Sequence, residues 1–242
     1  MTTNPERPGL PPKKTRAWAG WIEIDILLGG LAIAGALWAV VELAEIARAT
    51  TPHAFDTAIL LAFRQPGHPD LPIGPPWLEG AVRDVTALGS TVVLVLVVAA
   101  LVIHFFLLGR ARTAFFVLCA VGSGQVLSSL LKAGVDRPRP DLVSHLVTET
   151  SLSFPSGHAM LSAVTYLTLG ALAARFLPGR VTRVYVLALA VLVTLTVGVT
   201  RVYLGVHWPS DVLAGWCAGF AWAMLWWLAA RLLQRRGAVD GE

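Results

Sequence analysis

The chain has 242 residues, 55% of them hydrophobic and only 14% charged, against about 25% charged in a typical soluble domain. Its formal net charge of +4 comes from scattered Lys and Arg. With no dense basic block of the kind that tracks nucleic acid, a nucleic-acid partner is not expected. The length divides into membrane spans rather than soluble domains, and the fold class expected is all-α: a six-transmembrane-helix bundle with amphipathic outer-loop helices.

Residues 1–20 are polar, proline-rich and basic (Arg7, Lys13, Lys14, Arg16) and read as a disordered cytoplasmic tail. The apolar run after Asp25 is long and lacks the small-residue cleavage site of a signal peptide, so it reads as a retained first span. Six runs reach or approach the roughly 20 apolar residues that cross a bilayer as helix: 26–47, 90–109, 113–131, 158–177, 183–200 and 211–233. They place one membrane domain at 21–236 and a short cytoplasmic tail at 237–242. Glu42 and Glu45 fall in the last turns of the first run, at the interface, and His104 sits toward the inner end of the second. Between spans one and two, Phe55, Ile59, Leu60 and Phe63 recur at helical spacing, with Asp56 and Arg64 off that face. After a Pro/Gly-rich break at 66–76, Trp77, Leu78, Ala81, Val82, Val85 and Leu88 repeat the pattern. Such helices either lie among lipid headgroups or form a small outer cap on the bundle.

Cys119 and Cys217 lie in apolar runs, as small buried hydrophobes do. Gly215 and Gly219, and the Gly122-Ser123-Gly124 stretch, have the small side chains that let membrane helices approach closely. Packing inside the monomer is the expected use, and the oligomeric state is left open.

Orientation follows from the Lys and Arg near span ends. With the N-terminus inside, the cytoplasmic segments hold Arg7, Lys13, Lys14, Arg16, Arg110, Arg112, Arg175, Arg180, Arg183, Arg231, Arg235 and Arg236, twelve of the nineteen. Trp18 and Trp21, with Trp226 and Trp227, suit an inner aromatic belt. Both termini are then cytoplasmic, and three polar clusters share the outer face: KAGVDRPRP (132–140), FPSGH (154–158) and RVYLGVHWPSD (201–211).

In FPSGH, Ser156 is placed as an N-cap, and Gly157 lets backbone approach a ligand. The helix start offers unpaired N–H groups to a phosphate, with His158 beside it. In KAGVDRPRP, Lys132 supplies a compact charge and an Arg fork holds two oxygens; spacing does not decide whether Arg137 or Arg139 faces the anion. In RVYLGVHWPSD, Pro209 suits the first helical turn, putting Asp211 within reach of His207. A carboxylate on one ring nitrogen leaves the other free to attack. Gly205 permits a tight loop that folds Arg201 toward the same place.

These segments resemble the signature of the type 2 phosphatidic acid phosphatases, the integral lipid phosphate phosphatases that include phosphatidylglycerophosphatase B-like and undecaprenyl diphosphatase-like enzymes. The pattern is Lys, six residues, Arg-Pro; then Pro-Ser-Gly-His; then Ser-Arg, five residues, His, three residues, Asp. Lys132 to Arg139-Pro140, Pro155 to His158, and Arg201, His207 and Asp211 fit it, with Thr200 in place of the usual Ser. The resemblance implies a six-helix membrane bundle and a metal-independent mechanism, and with the Lys and Arg count the active site is expected on the outer face of the cytoplasmic membrane. It implies that His207 attacks phosphorus while Asp211 stabilises the imidazolium. Lys132, Arg139, Ser156, Gly157 and Arg201 would hold the phosphoryl oxygens. His158 would protonate the leaving group, then activate water against the phosphohistidine.

No cofactor and no metal are implied, and the partners are a lipid phosphate substrate and membrane lipids. Phosphatidic acid, phosphatidylglycerol phosphate and undecaprenyl diphosphate all fit, and the loop with His145 and Glu149 lies at the entrance. The competing readings are a lipid phosphotransferase with the same intermediate, a non-enzymatic anion transporter, and the vanadate-binding haloperoxidases that resemble this constellation but are soluble.

Overall fold

The computed structural model describes residues 14–235. The expected tails at 1–13 and 237–242, and the side chains of Trp18 and Trp21, fall outside the described residues. Helix α1 spans Lys14–Arg48, so residues 14–20, expected in the tail, are helical. There follow α2 (Ala54–Ala62), the short strands β1 (Arg64–Gln65) and β2 (His68–Pro72), paired antiparallel, and α3 (Pro76–Thr86). The bundle continues with α4 (Thr91–Leu107) and α5 (Ala111–Ala133). Next come α6 (Gly157–Ser162) and α7 (Thr168–Phe176), joined into one span by a π-helical turn. The last two helices are α8 (Arg180–Tyr203) and α9 (Pro209–Arg235).

Five of the expected spans appear as helices long and apolar enough to cross a membrane: Ile26–Arg48, Ala111–Ala133, Gly157–Phe176, Arg180–Tyr203 and Pro209–Leu232. The second is shorter than expected. Ser90 caps α4, its hydroxyl accepting from the Val93 N–H at 3.3 Å, and α4 has 17 residues. It completes a sixth span only together with Pro76–Gly89, at a bend of 49°. Gly89 sits at that bend, and a Cβ there would lie 3.2 Å from the His158 carbonyl, so the chain passes close against the start of α6.

Of the two readings of the outer helices, the packed cap is the one found. Leu60 is buried with Val202, Trp208 and Val212, while Leu78 and Val82 pack on Tyr203, Leu204 and Val206. The expectation that Asp56 and Arg64 lie off the inner face is wrong, since both are buried. Asp56 stands one turn before Leu60 on the same face of α2, as i and i+4 residues do. Arg64 donates to the carbonyls of Phe63 (3.1 Å), Tyr203 (2.9 Å) and Ser144 (3.4 Å), which ties the hairpin to the end of α8.

Inside the bundle α9 packs on α1 and on α6. Gly215 and Gly219 face α6, where a Cβ would come within 2.7 Å of the Ser156 carbonyl and 2.5 Å of the Met160 carbonyl. This is packing within one chain, as expected. Gly124 likewise faces Val164 and Trp222, but Gly122 does not pack: nothing stands within 4 Å of its Cβ position. It lines an apolar groove of about 430 Å³ between α4, α5 and α6, with Val98, Gln125 and Leu161. Cys119 and Cys217 are free and half-buried rather than fully buried. Trp226 and Trp227 engage Phe116 and Arg231 at the opposite end.

The two kinds of glycine separate in a paired test. Gly219→Ala forces backbone apart and should destabilise by about 1–3 kcal/mol, as overpacking does. Gly122→Ala, in open space within a helix, should be neutral or stabilising by up to about 1 kcal/mol. Melting temperatures of the two proteins in detergent would check the order, and a Gly219→Ala protein as stable as the parent would contradict the packing described.

Candidate active site

Four helix ends meet at one end of the bundle: the last turn of α5, the start of α6, the last turn of α8 and the start of α9. The chain leaves α8 through Gly205, which has φ +76°, a left-handed conformation that favours glycine. A side chain there would also come within 2.9 Å of the Ser144 carbonyl. The turn after it is pinned from the 134–156 loop: Leu146 N–H donates to Leu204 O at 3.0 Å and the Trp208 indole to Pro138 O at 3.2 Å. The Ser156 N–H donates to the Asp211 carbonyl at 3.0 Å, joining the start of α6 to the start of α9.

His207 is buried in that turn. Its Nδ1 lies 3.6 Å from Asp211 Oδ2 and 3.4 Å from Ser153 Oγ, and its Nε2 lies 3.3 Å from Arg139 Nη1. A guanidinium has no acceptor, so Nε2 carries the lone pair and Nδ1 the proton. At 3.6 Å the Asp211 contact is longer than a hydrogen bond. Ser153 bridges it, donating to Asp211 Oδ2 at 2.5 Å. Burial lowers the His207 pKa to about 4; Asp211 opposes that shift, and Arg139 and Arg201 add to it. The ring is therefore a neutral imidazole at pH 7, with one free lone pair.

The two oxygens of Asp211 are divided between partners. Oδ2 takes Ser153 and the Trp208 N–H at 2.9 Å, while Oδ1 takes Arg137 Nη1 at 2.6 Å. Arg137 is itself buried, stands 5.4 Å from the Trp208 ring, and donates through Nη2 to Asp56 Oδ2 at 2.8 Å. Asp56 also accepts the Ser210 N–H at 2.8 Å and the Ser210 hydroxyl at 2.6 Å. It thus caps α9 from a helix about 150 residues upstream. Arg137 is committed to carboxylates, whereas Arg139 faces His207.

The other predicted cations lie with Arg139 on the Glu149 and Ser151 side of the site. Arg139 donates to Ser151 O at 2.9 Å and Val206 O at 2.5 Å. Lys132 donates to Leu152 O at 2.8 Å and Ser151 Oγ at 3.3 Å. Arg201 is almost wholly buried and ion-pairs with Glu149, which also lies 3.7 Å from Arg139. Burial raises the Glu149 pKa, but the Arg201 and Arg139 charges outweigh it and hold the carboxyl below its ordinary value. Arg201 also donates to Thr86 at 3.3 Å. A cleft of about 410 Å³ lined by Lys132, Arg137, Arg139 and Ser151 opens beside them.

Ser156 precedes α6 as predicted, but its hydroxyl caps nothing: it is buried without a protein partner. A Cβ on Gly157 would stand 3.4 Å from Lys132 Cε, so the helix start and the ammonium stem are in contact. His158 follows Gly157 in the first turn of α6, so all eight predicted residues stand at the same end of the bundle. His145 Nε2 lies 2.6 Å from Pro140 O. Among the described residues no three His, Cys, Asp or Glu side chains are grouped to hold an ion. Sequence reasoning missed Ser153, Ser210 and the role of Asp56. The usable signal for Asp56 was a carboxylate four residues before Leu60 on one helix face.

Residues 113–235 match the model of the PAP2 superfamily. Phosphatidylglycerophosphatase B of Bacillus subtilis (strain 168) is 34% identical over 150 residues, covering 61% of this chain and 72% of that protein. An undecaprenyl-diphosphatase of Sulfolobus acidocaldarius is 36% identical over 70 residues, covering 29% of this chain and 30% of its own length. Among solved structures, the transmembrane PAP2-type phosphatidylglycerolphosphate phosphatase of Bacillus subtilis superposes with a TM-score of 0.75 at 28% identity. That match covers 84% of this chain and 98% of the other.

Replacing Arg137 by Gln leaves two buried carboxylates facing one another. Loss of one partner of a buried ion pair typically costs about 3–5 kcal/mol. Arg137→Gln should therefore lower the melting temperature far more than Arg83→Gln, which breaks only the exposed pair with Glu79. Equal effects in the two variants would contradict the geometry above.

Proposed function

Since this chain belongs to the PAP2 superfamily, we propose that it removes the terminal phosphate of a phospholipid phosphate or polyprenyl diphosphate at the outer face of the cytoplasmic membrane. The chain is a multi-pass membrane protein. The positive-inside count supports cytoplasmic termini and an outward site. The observation that carries the reading is the placement of His207: a buried imidazole whose Nε2 lies 3.3 Å from the guanidinium of Arg139, with Lys132 and Arg201 alongside.

The reaction runs in two displacements. The Nε2 lone pair forms the P–N bond as the P–O bond to the leaving group breaks, and His158, which takes up a proton as the phosphate's negative charge binds beside it, gives that proton to the departing oxygen. The imidazole, bonded to phosphorus, becomes cationic, and Asp211 stabilises it through the Nδ1 side. His158, now neutral, takes a proton from water, whose oxygen attacks phosphorus and releases His207. Arg139, Arg201 and Lys132 stabilise the equatorial oxygens, aided by the first N–H groups of α6. Binding there requires the Glu149 carboxylate to yield its place on Arg201. Metal independence rests on those three cations offsetting the phosphate charge.

The relatives' names support a lipid phosphate as substrate: phosphatidylglycerol phosphate for one and undecaprenyl diphosphate for the other. The apolar groove lined by Leu161, one turn beyond His158, suits a hydrocarbon tail. Phosphate release from phosphatidic acid, phosphatidylglycerol phosphate and undecaprenyl diphosphate, with and without EDTA, tests the reading. His207→Ala should abolish release from all of them, and Arg139→Ala should reduce it by about 100- to 1,000-fold, as losing one well-placed donor does. His158→Ala should accumulate acid-labile phosphoprotein. Wild-type turnover by His207→Ala would end the proposal.

The protonation state gives a further outcome. A lowered histidine pKa means the nucleophile is lost only as pH falls through about 4. After the substrate's own phosphate ionisation is accounted for, the acid limb of kcat/KM, which reports the free protein, should lie near 4. A limb at the ordinary histidine value of about 6.5 would show His207 to be solvated instead.

A further inference from the structure

Asp56 stands outside the polar clusters and outside the residues matched to the superfamily, yet it is 0% exposed and its side chain accepts from Arg137 and from Ser210 at the start of α9. A carboxylate is seldom buried without a charged partner, and this one shares its partner. Arg137 lies between Asp56 Oδ2 at 2.8 Å and Asp211 Oδ1 at 2.6 Å. The order of charges running inward from the cap is therefore Asp56, Arg137, Asp211, and then the His207 ring at 3.6 Å.

One cation against two carboxylates leaves this buried row with a net charge of minus one. If Arg137 served Asp211 alone, the pair would be neutral and the imidazole would face little net negative charge. Asp56 prevents that by drawing part of the guanidinium's charge to the far side. It also holds the first turn of α9 through the Ser210 N–H, which keeps Asp211 in register with His207. We propose that Asp56 is a positioning residue for the phosphotransfer step: acting through Arg137 and Ser210, it leaves Asp211 enough charge to stabilise the cationic, phosphorylated His207. The inference rests on the reading of His207 as nucleophile.

The consequence is a charge rescue. Asp56→Asn is nearly isosteric and keeps an acceptor for Ser210, but makes the row neutral. Asp56→Asn with Arg137→Gln removes both outer charges and returns the row to minus one on Asp211. Both variants, the wild type and His207→Ala are assayed as full-length protein in mixed micelles with phosphatidic acid, phosphatidylglycerol phosphate and undecaprenyl diphosphate. The single variant should lose about 10- to 100-fold in kcat, the usual effect of removing an outer partner. Its KM should stay within about threefold, since no ground-state contact to substrate is lost. The double variant should recover at least about fivefold in kcat over the single, on the same logic of restored transition-state charge.

A purely structural Asp56 predicts the reverse, because the double variant loses more buried hydrogen bonds than the single. Three outcomes overturn the proposal: a single-variant kcat within about twofold of wild type, a rise in KM alone, or a double variant no more active than the single. If the single variant elutes as aggregate, the double is compared with wild type directly. A kcat within about tenfold then supports the proposal, and one as low as that of His207→Ala overturns it. His207→Ala separates the two levels of the argument. Full activity there removes the nucleophile and the inference with it, whereas an inert His207→Ala beside an unaffected Asp56→Asn removes only the inference.

Discussion

One carboxylate, Asp211, holds a guanidinium on one oxygen and reaches an imidazole through a bridging serine on the other, and this end of the bundle is arranged around it. Its Oδ1 meets Arg137 at 2.6 Å and its Oδ2 faces Nδ1 of His207, with Ser153 and the Trp208 N–H completing the second oxygen. A carboxylate buried this deeply is costly unless it is paired and fully hydrogen-bonded. Those partners come from two pieces of chain, Arg137 and Ser153 from the 134–156 loop and His207 and Trp208 from the 204–208 turn, and Arg137 brings in a third, the cap that carries Asp56. The demand for satisfaction forces those pieces together. A site follows because the last partner recruited is a histidine with its other nitrogen left over.

The membrane supplies the rest of the geometry. Antiparallel spans bring the C-terminal ends of α5 and α8 beside the N-terminal ends of α6 and α9, so cations at helix C-termini stand next to unpaired N–H groups at helix N-termini. Favourable dipole interactions put Lys132 and Arg201 in those last turns, and the same positions surround an anion bound at the start of α6. Small residues let this convergence be tight. Gly215 and Gly219 allow α9 to touch α6 along its backbone, and Gly89 lets the bend before α4 meet His158. The Gly residues of the spans and the charges of the loops are two parts of one arrangement.

Much of this was legible in the residues. Hydropathy located the spans because every backbone group in lipid must be satisfied within its own helix. The three polar clusters stood out because polar residues at span ends are otherwise sparse. The outer cap was legible only as helices. Periodicity marked Leu60 and Leu78 as inward, but it cannot tell a solvated Asp56 from one that finds an arginine on a distant loop. Arg137 and Arg139 were indistinguishable for the same reason: they are two residues apart, and their division of labour depends on a carboxylate about 80 residues away. Ser153 carried no signal at all, being one hydroxyl in a loop without periodicity. The far end of α4 was misjudged because Leu108 and Gly109 continue the apolar pattern, whereas the helix ends at Leu107 before Gly109 turns left-handed at φ +70°.

Charge accounting links the cap to the pocket. Lys132, Arg139 and Arg201 carry three positive charges, and Glu149, paired with Arg201 and near Arg139, removes one, leaving two. A phosphate dianion entering that space meets a matched charge, and displacing Glu149 from the guanidiniums exposes a third positive charge to whatever negative charge develops during transfer. On the other side of His207, the row Asp56–Arg137–Asp211 carries a single negative charge. The imidazole thus lies between a cationic face that attracts the phosphoryl group and an anionic face that favours a positive ring. In the proposed reaction the P–N bond forms along that gradient, and the field serves both ends of the bond: oxygens gaining negative charge on one side, nitrogen becoming cationic on the other. Preorganised charge of this kind acts without reorganising at the moment of reaction. That is why residues as far from phosphorus as Asp56 belong to the same chemical device as the histidine.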